Sequence, residues 1–142
     1  MTFADAVAAI RSRLGNPFGS VPLAYPNESF DPPDDGGSPP SPLPWIYLEV
    51  LGGPSDMTAF NSPGKRVVTE RGTIFAHCFV PVGTGDQAAY QLAGEVGAAL
   101  RMAAFSGIQT EAASIGGGES GDDSGNWFRV SVSVPFTVHY AA

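Results

Sequence analysis

Apolar and polar residues alternate over most of the last fifteen residues before Ala141. In the run NWFRVSVSVPFTVHY, Phe128, Val130, Val132, Val134, Phe136, Val138 and Tyr140 fall on one face, and Arg129, Ser131, Ser133, Thr137 and His139 on the other. Side chains point alternately to opposite sides of a strand, so this pattern predicts one long ribbon with a buried and a wetter face. A different period governs the start of the chain. Phe3, Val7, Ile10 and Leu14 recur at helical spacing over residues 2–14, with Thr2 and Asp5 placed to close the first turn and Gly15 to end the last. Between these ends, Trp45 to Leu51 reads as a strand buried on both faces, broken by Gly52-Gly53-Pro54. Lys65–Thr69 and Gly72–Val82 read as two strands of a hairpin around Glu70-Arg71-Gly72. Ile74, Ala76, Cys78 and Val80 share one face of the second, and Phe75, His77 and Phe79 the other.

Thr84 to Phe105 predicts the longest helix, opened by a Thr84/Gln87 capping box. It carries one apolar stripe (Leu92, Val96, Ala99, Leu100, Ala103) and a second stripe of small residues (Ala89, Ala93, Gly97). Gly94 and Gly97 each cost about 1 kcal/mol of helix propensity relative to alanine, which a closely packed neighbour or sheet would explain. Ile108 to Ile115 suggests a short strand before the glycine-rich acidic stretch GGGESGDDSG. Nine prolines between residues 15 and 44 exclude a helix or central strand there. VPLAYPNESF within it is apolar enough to cover a core edge, whereas residues 31–44 read as a flexible loop or extended arm. The order of elements predicts one domain over residues 1–142. Its class is α+β, a mostly antiparallel sheet with two helices packed on one face. Pro135 lacks a donor for the ladder, which places its part of the ribbon at a sheet edge or bulge.

Composition narrows the function. Seven basic against fourteen acidic residues give a net charge of −7, opposite to the basic footprint of nucleic-acid binding or anionic-lipid docking. No apolar run approaches the roughly 20 residues that span a bilayer, and the N-terminus lacks the pattern of a signal peptide. One cysteine, Cys78, excludes an internal disulfide and fits a reducing cytoplasm.

Candidate chemistry is sparse. His77 and Cys78 are adjacent, so on a strand they point to opposite faces and cannot readily share a proton. A small buried thiol is the plainer reading of Cys78. Two histidines and one cysteine do not make a zinc pattern. Glu119, Asp122 and Asp123 lack the alternation of a calcium loop. Gly83-Thr84-Gly85 opens a helix, but no lysine follows in phosphate-binding position. No catalytic residue, metal or cofactor is therefore assigned. Lys65, Arg66 and Arg71 form the one basic cluster of an acidic protein, which suits a contact with an acidic partner subunit.

The succession MTFADAVAAIRSRL, VPLAYPNESF, PWIYLEVLGG, GKRVVTERGTIFAHCFVPVGTGDQAAYQLAGEVGAAL and NWFRVSVSVPFTV resembles the tail-terminator-like family of long-tailed phages and gene transfer agents. The likeness spans nearly the whole chain and lies in pattern and order. It implies a structural virion protein without enzymatic activity: a hexameric ring at the head-proximal end of the tail tube, assembled in the host cytoplasm. Such a ring stops tube growth, offers a surface to the head–tail connector, and lets DNA pass its lumen without specific binding. On that basis Lys65, Arg66 and Arg71 are the expected contact with the major tail tube protein. Ala89, Ala93, Gly97 and Pro135 are expected at subunit interfaces. Alternatives are another head–tail joining or minor tail protein and, more distantly, a small Cys78-dependent hydrolase or a ligand-binding module.

Overall fold

A computed structural model describes residues 1–15, 17–60, 62–121 and 125–142. Two helices, α1 (Phe3–Gly15) and α2 (Gln87–Leu100), pack on one mixed, mostly antiparallel sheet. Its strands are β1 (Leu23–Ala24), β2 (Trp45–Ala59), β3 (Val67–Pro81), β4 (Ala104–Phe105), β5 (Ile108–Thr110), β6 (Ser114–Ile115), β7 (Glu119–Ser120) and β8 (Trp127–Ala141). The main path runs β1-β2-β3-β8-β5-β4, with β6 and β7 also on β8. Among the described residues only β1 is parallel to its neighbour.

The C-terminal ribbon forms as its alternation demands. Val130, Val132, Val134, Phe136 and Val138 are buried beneath the helices beside Ile74, Ala76, Cys78 and Val80 of β3. Ala6, Ile10 and Leu14 of α1 face them, and Asp5 accepts the Thr2 backbone N–H at 2.7 Å to close the first turn. On α2 the two predicted stripes merge into one buried face: Ala89, Leu92, Ala93, Val96, Gly97 and Leu100. The explanation for its glycines divides. A side chain on Gly97 would meet Ala113 and Val132, so the sheet does lie close there, whereas Gly94 faces open space.

Several local expectations are corrected. The hairpin joins β2 to β3 and turns at Ser62–Lys65, where Lys65 N–H bonds the Ser62 carbonyl and Gly64 takes a φ of 87°. Glu70-Arg71-Gly72 is continuous strand. Gly72 is there because the backbone of β2 and the Phe136 ring leave no room for a side chain. Gly53-Pro54 likewise does not end β2 but sits in a register shift between Gly52 and Ser55, with another between Met57 and Ala59. The predicted capping box is absent: Asp86 is the N-cap, and Thr84 donates to the Pro81 carbonyl instead. α2 stops at Leu100 because the buried Thr110 hydroxyl donates to the Leu100 carbonyl while accepting the Ala103 N–H, tying the chain into the β4–β5 turn.

The proline-rich segment closes on itself. Asp35 Oδ1 accepts the backbone N–H groups of Gly37 and Ser41 at 2.8 and 2.9 Å. Backbone bonds join Asp35 to Ser41 and Leu43 to Pro33. Within the stretch expected to be a flexible loop or extended arm, residues 33–43 form a short exposed finger at the start of β2.

Candidate assembly surface

Among the described residues, one sheet face is covered by helices and the other has none. Across this open face the rows run Trp45–Phe79–Arg129, Tyr47–His77–Ser131 and Glu49–Phe75–Ser133. At one end Trp45 stacks on Phe79 with centroids 4.0 Å apart, and Phe30 and Trp127 flank it. In the middle His77 is held from both sides, Nδ1 at 2.7 Å from Ser131 Oγ and Nε2 at 2.7 Å from Glu49 Oε1. Phe75 and Tyr47 stack near its ring. These contacts pin three strands to one another across the open face.

Cys78 points the opposite way. It is fully buried, and desolvation pushes its thiol up to about 12, so no thiolate is available near neutral pH. That geometry removes the Cys78 nucleophile. Glu119 is engaged by Arg129 at 2.7 Å. Asp122 and Asp123 lie outside the described residues. Surface hollows include one of about 330 Å³ beside the β2 irregularity (Leu51, Pro54, Arg71, Phe75) and one of about 400 Å³ at the β4–β5 turn. Neither gathers a convergent set of charged groups. Among the described residues no cluster of three or more metal-ligating side chains occurs, and no helix is long and apolar enough to cross a membrane.

The basic residues separate into two places. Lys65 and Arg66 occupy the β2–β3 hairpin tip, where Arg66 and Ala142 exchange backbone bonds at 2.8 and 3.3 Å. Arg71 lies further along β3 on the open face, paired with Asp56 at 2.9 Å. Sequence reasoning missed the apolar part of this tip. Phe60 is 90% exposed at its apex, and Met57 and Val67 below it are also open to solvent. The signal was a lone aromatic beside the turn residues Ser62-Pro63-Gly64.

The structure places Ala89, Ala93 and Gly97 against the sheet of their own chain, so the close-packing neighbour of this stripe is internal. Pro135 is half-buried in the middle of β8, opposite Thr73. It is not at a sheet edge, since β3 flanks one side of β8 and β5, β6 and β7 the other. Its carbonyl accepts the Glu111 N–H at 2.9 Å. The missing donor therefore faces the break between β5 and β6.

Extended strands, a helix-free sheet face and an exposed apolar tip are the surface features that the described residues present. Comparison gives the protein's class a name. The family described as phage tail terminator protein matches residues 5–136, and the chain belongs to it. It is a structural component of a phage tail, in a family whose members meet other tail and head proteins. No curated protein matches. A solved structure titled only by a sequence identifier superposes with a TM-score of 0.66 at 20% identity, covering 100% of this chain and 99% of the other. That likeness concerns the fold alone.

Proposed function

We propose that this protein is the tail terminator itself: a hexameric ring that caps the head-proximal end of the tail tube, stops its polymerisation and presents a surface to the head–tail connector. The family match over residues 5–136 carries the reading. The mechanism is steric. One face of the ring copies what the last tube ring accepts, and the other offers the next tube subunit nothing to bind. The net charge of −7 suits a channel that DNA crosses without sticking. Lys65 and Arg66 on the exposed hairpin are the contact for an acidic partner subunit. Arg71, already paired with Asp56, contributes less. Pro135 and the surface around the β5–β6 break remain a candidate subunit contact. The stripe Ala89, Ala93 and Gly97 would support an interface only indirectly, by holding α2 on the sheet.

Growth of purified tube protein provides the test. Added in slight excess over tube ends, the protein should fix tube length and block further addition. Tubes that elongate unchanged in its presence would refute the reading and favour another head–tail joining or minor tail role.

A further inference from the structure

We propose that the β2–β3 hairpin tip of one copy docks on the proline-rich finger (residues 33–43) of the next, so that the acidic partner of Lys65 is a second copy of this chain. The inference rests on the ring reading above and names the partner of the same basic tip.

The two patches are complementary in charge and in shape. The tip presents the exposed Lys65 in a chain whose net charge is −7, which favours an approach of acidic copies tip first. The finger and its approach carry Asp31, Asp34 and Asp35, all exposed. Two backbone N–H groups hold the Asp35 carboxylate below the usual carboxylate range, so it stays charged. Apolar groups match as well. Phe60 is 90% exposed on the tip, and the finger offers Pro39, Pro40, Pro42 and the 41% exposed Leu43. Proline-rich surfaces are natural seats for aromatic rings.

The two patches cannot meet within one chain. They sit at opposite ends of β2, whose fifteen residues span roughly 45 Å at 3.3 Å per residue. The finger, about four residues on each side, reaches only about 13 Å by the same measure. A tip-to-finger contact therefore joins different copies and is heterologous. That kind of contact closes into rings when the rotation allows. Backbone pairing along the free edge of β2 is the competing way to join copies. Pro54 and the two register shifts disfavour it, because such features blunt an edge.

The test is a charge-swap rescue read by sedimentation across a concentration range. Lys65→Glu and Asp31→Lys should each weaken self-association at least tenfold, and F60S by a similar factor, with unchanged circular dichroism because all three side chains are exposed. Mixing K65E with D31K copies should restore association, since each mixed contact again pairs opposite charges. Wild-type chains that remain monomeric throughout, single variants that assemble normally, or mixtures that fail to recover would each overturn the proposal. Tube capping by the same variants separates the two readings. Variants that still form rings yet fail to cap would place the tip on the tube, overturning this inference while leaving the terminator reading intact. Rings that need tip and finger but never cap tubes would do the reverse.

Discussion

Replacing Gly72 with alanine should destabilise the protein by about 3 kcal/mol, the upper part of the range for overpacking a core. A methyl group there would stand 2.4 Å from the Leu51 carbonyl oxygen and 2.6 Å from Phe136 Cζ. Neither neighbour can retreat cheaply. The carbonyl is backbone of the paired strand β2, and the Phe136 ring is buried and stacked on Phe3 of α1 at 6.3 Å. Gly94→Ala adds the same methyl group in the middle of α2, where nothing lies within 4 Å. That change should stabilise by up to about 1 kcal/mol through helix propensity alone. Urea unfolding of both variants checks the pair, with the midpoints moving in opposite directions and the slopes unchanged. A Gly72→Ala protein within about 0.5 kcal/mol of wild type, the range of ordinary surface substitutions, would refute the close-approach account of that glycine.

Other outcomes follow from single side chains. The hydrogen bond to Glu70, with burial and the Glu70 charge adding to it, raises Tyr140 above its ordinary value of 10.0. A raised folded value gives stability that is complete below the unfolded value and lost as pH rises through the folded one. Stability should therefore decline on the alkaline side of pH 10, and Y140F should flatten that decline in pH-dependent urea titrations. With its thiol pushed up to about 12, Cys78 should resist thiol reagents at pH 8 in the folded protein. Its labelling should rise in step with urea unfolding. Glu49→Ala leaves a half-buried histidine nitrogen without its partner and should cost about 1–2 kcal/mol; a double-mutant cycle with Ser131→Ala reports whether the three strands are coupled through His77. Asp56→Asn breaks an ion pair whose side chains are more than half exposed and should change stability by less than about 0.5 kcal/mol.

The long elements were legible because their periods are sustained. Residues 128–140 alternate with Pro135 as the one exception, and Phe3, Ile10 and Leu14 keep one helical face. Both register as burial in the fold. Glycine misled where it marked proximity. Gly72 and Gly53 read as turns from sequence, since a missing side chain signals backbone freedom and close approach alike, and only the neighbouring strand distinguishes them. The hairpin turn consequently moved from Glu70-Arg71-Gly72 to the Ser62-Pro63-Gly64 region. The end of α2 depended on Thr110, ten residues beyond Leu100, a contact no local pattern encodes. For the assembly surface, the charges of Lys65 and Arg66 were visible in the composition. Phe60 was not, because an exposed aromatic is recognised only once every other apolar side chain has found its place.

The arrangement of β8 sets a timetable for the chain. β8 pairs with β3, β5, β6 and β7, yet it is made after every strand it joins. Until residues 127–141 emerge from the ribosome, α2 lacks the β8 part of its floor, β5 has only the two-residue β4 beside it, and β6 and β7 lack the strand they pair with. The β2–β3 hairpin can form early; the rest waits on a single late event that closes loops reaching back to Val67. Non-local closure of this kind makes folding slow compared with helix or hairpin formation. A nascent chain interrupted before residue 127 would have no completed sheet. A truncated chain would thus lack the one strand that β3, β5, β6 and β7 share.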